Sequence, residues 1–174
     1  VMSEAGLETR IQKRINAVLE EKDIPCSYVW AGDVIDWDSD CKVTVLSPVP
    51  EFDEYSKTDW NEWSLIIRVE YATHSMIFTG DATVRSEQAA MLNNEKYLFD
   101  ADVLKVPHHG VYNSKLEDYF SKVNMKYAVI TCSDKNPAEQ KTLDLLTAKG
   151  CRTFLTSNGT VHIRSTKSGI DITQ

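Results

Sequence analysis

Phe78-Thr79-Gly80-Asp81-Ala82 and Asp102-Val103-Leu104-Lys105-Val106-Pro107-His108-His109-Gly110 lie within the stretch from Ser75 to Ser114, and they share one layout. Each is a short apolar run that ends abruptly in side chains able to bind a metal. Runs of this length, rich in β-branched residues and cut off by Gly or Pro, read as strands. A carboxylate at Asp81 then projects from a sheet edge, and Gly80 lets the backbone approach closely or adopt a conformation other residues avoid. Taken alone, Asp81 fits a turn or a helix cap equally well. His108 and His109 are sharper, because Pro107 ends the strand and places two imidazoles in a tight loop closed by Gly110. Imidazole is a common metal ligand and a general base near neutral pH, although a histidine at a strand end is often only a hydrogen-bonded polar residue.

Working outward, Trp63–Tyr71 and Ser75–Thr79 form a hairpin around Ala72-Thr73-His74, and a helix follows over Val84–Asn93. Beyond Gly110, Ser114 is placed to cap a helix over Lys115–Lys122. Tyr127–Cys132 is a continuous apolar run, the mark of a strand buried on both faces. Asn136-Pro137-Ala138-Glu139 has the order of a helix start, with the helix running to Lys149 and stopped by Gly150. Cys151–Thr156 is a strand, Asn158-Gly159 predicts a tight hairpin into Thr160–Arg164, and Ile170–Ile172 is a last short strand. Upstream, Ile11, Ile15, Val18 and Leu19 make one apolar stripe of a helix over Glu8–Asp23, expected to pack on a sheet. Strands are expected at Cys26–Trp30, Val34–Trp37 and Cys41–Leu46, followed by a polar, mobile loop from Pro48 to Asn61. The acids Glu51, Asp53 and Glu54 in that loop read as solvated. Meander first, alternating strands and helices later, is an α/β (α+β) pattern. It predicts one domain over 1–174, a leading helix in 1–25 and a body in 26–174 with a mixed sheet and helices on one face.

Length and composition set outer limits. The chain has 174 residues, enough for a core. No apolar run approaches the ~20 residues of a membrane helix. No signal-peptide pattern follows Val1, so the expected location is cytoplasmic. The formal net charge of −7 gives no support to non-specific nucleic-acid binding, which needs a basic face. Cys26, Cys41, Cys132 and Cys151 show no CxxC spacing and read as free thiols. His74 in a hairpin turn and His162 in a late strand read as structural.

Taken in order, Asn61-Glu62-Trp63-Ser64-Leu65-Ile66-Ile67, Phe78-Thr79-Gly80-Asp81-Ala82, Ala101 to Gly110 and the ending Thr156…Gly159…Val161-His162-Ile163 resemble the metallo-β-lactamase superfamily, in its branch of ComEC-like competence proteins. The resemblance covers about Cys41 to Ile172. It implies half or more of an αββα sandwich with a metal site along one edge. Zinc is the implied metal, as two ions in a complete protein, with manganese as the alternative. Asp81 matches the bridging carboxylate and His109 the last metal-binding histidine, with His108 beside it as a ligand or facing the substrate. Asp102, Gly80, Gly110 and Ser114 would support these catalytic and metal residues from behind. The chemistry implied is attack by an activated water on a small ester or phosphodiester.

Three departures qualify this. HxHxDH is absent, the histidine expected between it and Gly80-Asp81 has no match, and Val111 stands where a serine commonly follows His-His-Gly. The chain therefore reads as the C-terminal portion of a hydrolase, inactive alone and weak in metal binding. Its expected partners are the missing N-terminal half or a second copy, docked on an exposed apolar sheet face. A non-catalytic interaction module and a DNA-processing nuclease linked to competence are the alternative readings.

Overall fold

Alternating and continuous apolar runs build one seven-stranded sheet. The computed structural model describes residues 1–3, 9–50 and 58–174. The strands are β3 (Val34–Asp38), β4 (Cys41–Ser47), β5 (Ile66–Tyr71), β6 (His74–Phe78), β7 (Val103–Lys105), β8 (Tyr127–Ile130) and β9 (Arg152–Leu155), lying side by side in chain order. From β3 to β6 the neighbours are antiparallel, and from β6 to β9 they are parallel. The short turn between β5 and β6, with Ala72 at φ +53, allows the first mode. The second needs crossovers, supplied by the helices α2 (Val84–Asn93), α3 (Leu116–Lys122) and α4 (Gln140–Ala148).

Strand periodicity then decides which side each residue serves. Leu46, Ile66, Ile77, Leu104, Ala128 and Ile130 are buried on the face that carries Ala90 of α2, Leu116, Tyr119 and Phe120 of α3, and Leu146 of α4. Burying each such large apolar side chain contributes about 1.5–3 kcal/mol. On the opposite face, Val103, Val129 and Phe154 pack with Ile172, Val161, Ile163 and Ile170. Ile163, Ile170 and Ile172 belong to a separate hairpin of β10 (His162–Thr166) and β11 (Gly169–Thr173), which Val161 immediately precedes. The expected mixed sheet with helices on one face is what the chain forms.

Several local expectations are corrected. The helix α1 (Arg10–Glu21) has no buried residue, so its stripe does not pack on the sheet; Ile11 is 70% exposed. The strand expected at Cys26–Trp30 shrinks to β2 (Tyr28–Val29), paired in parallel with β1 (Met2–Ser3). Trp60–Trp63 is a 3-10 turn, and β5 begins only at Ile66. α4 starts at Gln140 rather than at Asn136, because the Glu139 N–H donates to the Gly110 carbonyl and Ser133 and Asn136 bond each other. Asn158-Gly159 makes no hairpin with β9: Thr156–Asn158 is a 3-10 turn, and the strand after it pairs with β11. Glu51, Asp53 and Glu54 lie outside the described residues. All four cysteines are free.

The apolar sheet face expected to be open is so only in part. The β10–β11 hairpin covers β7 to β9, leaving over β5 and β6 a groove of about 370 Å3 lined by Trp37, Val69, Tyr71, Met76 and Ile163. No helix of the described residues is long and apolar enough to cross a membrane.

Candidate functional site

Because β6 to β9 are parallel, all four end on one edge of the sheet. Gly80-Asp81 follows β6, Pro107–Gly110 follows β7, Thr131 follows β8 and Thr156 follows β9. Loops at the carboxyl ends of parallel strands are where open α/β sheets gather functional groups.

On the first of these loops, Gly80 stands at φ +54, and a Cβ there would come within 3.1 Å of the Ser64 Cβ. Both the left-handed turn and the close approach therefore call for glycine. The Ser64 hydroxyl accepts the Asp81 N–H at 3.2 Å, and the Lys105 ammonium donates to the Gly80 carbonyl at 2.7 Å. Burial lowers the Lys105 pKa, while the facing charge of Asp81 works against that.

On the second loop, His108, His109 and Gly110 have φ of +44, +56 and +77. Two consecutive non-glycine residues in the left-handed region store strain, of order 1–3 kcal/mol each. Contacts on either side hold them. The Asn61 side-chain amide lies 3.4 Å from His108 Nε2, and His109 Nδ1 lies 2.6 Å from the Thr131 carbonyl and 3.1 Å from its hydroxyl.

The loops meet where His109 Nε2 comes within 3.3 Å of an Asp81 carboxylate oxygen, both side chains partly exposed. The Thr131 carbonyl can only accept, so Nδ1 carries the proton, and in a neutral ring Nε2 presents its lone pair to the carboxylate. Two lone-pair donors facing each other call for a cation between them or a proton on the ring. With zinc-to-nitrogen and zinc-to-oxygen distances of about 2.0–2.1 Å, two ligands on one edge of a tetrahedron stand about 3.3 Å apart. The spacing of Asp81 and His109 fits a shared metal ion. Among the described residues no group of three or more His, Cys, Asp or Glu side chains is placed to hold one, so this pair is an incomplete set.

His108 stays beside the pair, ring centroids 6.4 Å apart. A groove of about 510 Å3 opens next to it, lined among others by Thr131, Cys132, Ser133, Asn136 and Thr156. Two expected supporting residues are elsewhere. Asp102 precedes β7, at the far end of the strand from His109. There it pairs with His74 at 3.4 Å and Lys126 at 2.8 Å and accepts the Ser75 N–H, contacts with hydrogen-bond donors that hold its carboxyl below the usual carboxylate range even as partial burial opposes them. It cannot orient the histidine loop from that position. Ser114 is exposed, and α3, whose N-cap residue is Lys115, has no side-chain cap; just before the helix the Asn113 Oδ1 accepts the Lys115 N–H at 2.9 Å. His162 lies exposed on β10, away from the site.

Sequence reasoning missed Asn61, Ser64, Lys105 and Thr131, all of which touch the site, because nothing local marks a serine or threonine that acts across 17 or 22 positions of chain. It also missed Glu87 of α2, buried to 1% exposure beneath the loops. Burial raises the Glu87 carboxyl to about 7, with the Asn113 side chain opposing. A folded pKa above the unfolded value of 4.5 means that the native state holds the extra proton between those two values. Stability is then greatest below 4.5 as far as this group is concerned, and that contribution is lost as pH rises towards 7. Glu87→Gln is expected to melt a few degrees above the wild type at pH 8, with the gap closing towards pH 4.5, as read by thermal denaturation across pH. A gap independent of pH would contradict this.

No family model matches the chain. It is 35% identical over 161 residues to ComE operon protein 3 of Bacillus subtilis, a match covering 90% of this chain and 20% of that protein. It is 34% identical over 76 residues to the uncharacterised protein YcaI of Escherichia coli, covering 44% of this chain and 10% of that one. The chain thus spans a fifth or less of the length of these relatives. Among solved structures, a protein of Parabacteroides distasonis named as a metal-dependent hydrolase superposes with a TM-score of 0.50 at 14% identity, covering 79% of this chain and 60% of that one. The likeness shows a shared fold. Both findings agree with the ComEC-like branch of the metallo-β-lactamase superfamily to which the motifs point.

Proposed function

Because the chain is homologous to a segment of a competence-operon protein and carries a hydrolase-like fold, we propose that it is the C-terminal part of a metal-dependent hydrolase. The observation that carries this reading is the 3.3 Å approach of His109 Nε2 to Asp81, with Nδ1 already committed to the Thr131 carbonyl. Asp81 and His109 would hold the metal, zinc by the nature of the donors. When bound, the metal supplies Lewis acidity and lowers the pKa of a water that attacks an ester or phosphodiester. The remaining ligands would come from outside the described residues, and the proposed partner is an N-terminal portion of such a hydrolase. Within the chain, Thr131 fixes the His109 tautomer, Ser64 and Lys105 hold the turn that presents Asp81, and Asn61 steadies His108.

Zinc titration followed by the ring nitrogens of the histidines tests this. The expected result is weak binding that shifts His109 Nε2 and is lost in Asp81→Asn. Tight stoichiometric binding by these 174 residues would contradict the incomplete site. No shift of His109 at millimolar zinc would remove the metal reading altogether.

A further inference from the structure

We propose that Thr156 is a positioning residue for His109, acting through Cys132 and Thr131 at the end of β8. Main-chain pairing between β8 and β9 ends at Ile130 and Leu155, where the chain turns away into Thr156–Asn158. A side chain then takes the place of the missing ladder. The Thr156 hydroxyl accepts the Cys132 N–H at 2.9 Å and donates to the Cys132 carbonyl, also at 2.9 Å. A hydroxyl is both donor and acceptor, so it answers both main-chain groups of a residue 24 positions away. The Cys132 thiol lies 3.7 Å from Ser157 Oγ, a further contact between the same two segments. The clamp is itself braced, because Gln174 Nε2 donates to the Leu155 carbonyl at 2.6 Å and to the Gly159 carbonyl at 3.2 Å, on either side of the turn.

Thr131 is thereby fixed from both sides, by the ladder at Ile130 and by the clamp at Cys132. It is the residue whose carbonyl lies 2.6 Å and whose hydroxyl lies 3.1 Å from His109 Nδ1. The direction of that carbonyl decides where Nδ1–H points, and so how Nε2 is presented to Asp81 at 3.3 Å. His109 stands in the left-handed region at φ +56, a conformation that persists only where the surroundings over-determine it. Thr156, Cys132 and Thr131 also share with His108 and His109 the wall of the groove of about 510 Å3. Loss of the hydroxyl would leave the N–H and the carbonyl of Cys132 unanswered in a partly buried place and set Thr131 free to turn.

The consequence for catalysis rests on the hydrolase reading, but the geometry needs no metal. Nuclear magnetic resonance of the metal-free 174-residue chain tests it, at a pH where imidazole is neutral. Ring nitrogen shifts report which nitrogen of His109 carries the proton, and in the wild type it is expected on Nδ1, with the Cys132 amide protected from exchange. Thr156→Val keeps the shape without the hydroxyl. It is expected to mix the two tautomers of His109 and to quicken exchange at Cys132 about tenfold. Thr156→Ser is expected to restore both. Ile172→Ala, which empties part of the apolar cluster on the opposite face, is expected to lower stability and leave the His109 tautomer as in the wild type. A merely structural Thr156 would behave as Ile172 does. An unchanged tautomer in Thr156→Val, or no recovery in Thr156→Ser, would overturn the proposal. Should Thr156→Val not fold, a wild-type Cys132 amide that exchanges like an exposed one, or a wild-type His109 protonated on Nε2, would overturn it equally. Zinc binding bears on the metal reading alone, so the two can fail separately.

Discussion

Gly110→Ala is expected to lower the stability of the chain by about 2–4 kcal/mol, measured by urea unfolding. Two terms combine. The backbone at φ +77 disfavours any side chain, by about 1 kcal/mol. In addition, the new Cβ would stand 3.0 Å from both the Ala138 Cβ and the Ile130 Cγ2, in a packed core where overfilling costs about 1–3 kcal/mol. Gly150→Ala separates the two terms. Gly150 has nearly the same φ of +74, but nothing lies within 4 Å of the place its Cβ would take. The loss at Gly150 should therefore report the conformational term alone, and the excess at Gly110 the packing term. Equal losses at both would mean that the histidine loop can move away from β8 and is not clamped.

Removing His109 is the second large effect. On the proposed hydrolase reading, in a protein that supplies the remaining ligands, His109→Ala and Asp81→Asn are each expected to reduce hydrolysis of an activated phosphodiester by on the order of a hundredfold or more. Outer partners of a metal site already change affinity or activity by about 10–100-fold, so a direct ligand should exceed that. The two changes should not add. Residues that act as a unit lose their joint contribution once, so the double variant is expected to resemble the worse of the single ones. Both side chains are partly exposed and the loop has other contacts, so the melting temperature should move little. Full activity in either variant would place the metal elsewhere.

The sheet was largely legible from periodicity. Continuous apolar runs such as Tyr127–Ile130 announce buried parallel strands, and the hairpin at Ala72 announces antiparallel ones. Asp81 and His109 could be named because glycine and proline punctuate the strands immediately around them. What stayed hidden acts over distance. Thr131 and Ser64 are ordinary residues until the fold brings them to the site. Glu87 reads on paper as one more acid on an amphipathic helix, and only the packing of α2 against α3 shows that it is buried. Asp102 misled for the opposite reason. It adjoins the histidine strand in sequence, yet the strand's own length carries it to the far edge. α1 misled because its stripe is real but nothing within the described residues covers it.

The change from antiparallel to parallel pairing at β6 also bears on how fast the molecule assembles and comes apart. β5 and β6 close across a short turn, a contact that forms in microseconds, whereas β6 finds β7 only after a long crossover. The site is stitched from distant pieces, Asn61 to His108 over 47 positions and Asp81 to His109 over 28. Such contacts are expected to form after the rate-limiting step. Damage at Gly110 should then appear mainly as faster unfolding, with the refolding rate almost unaltered. For this chain the site edge would set the lifetime of the folded state, while the meander sets the time needed to reach it.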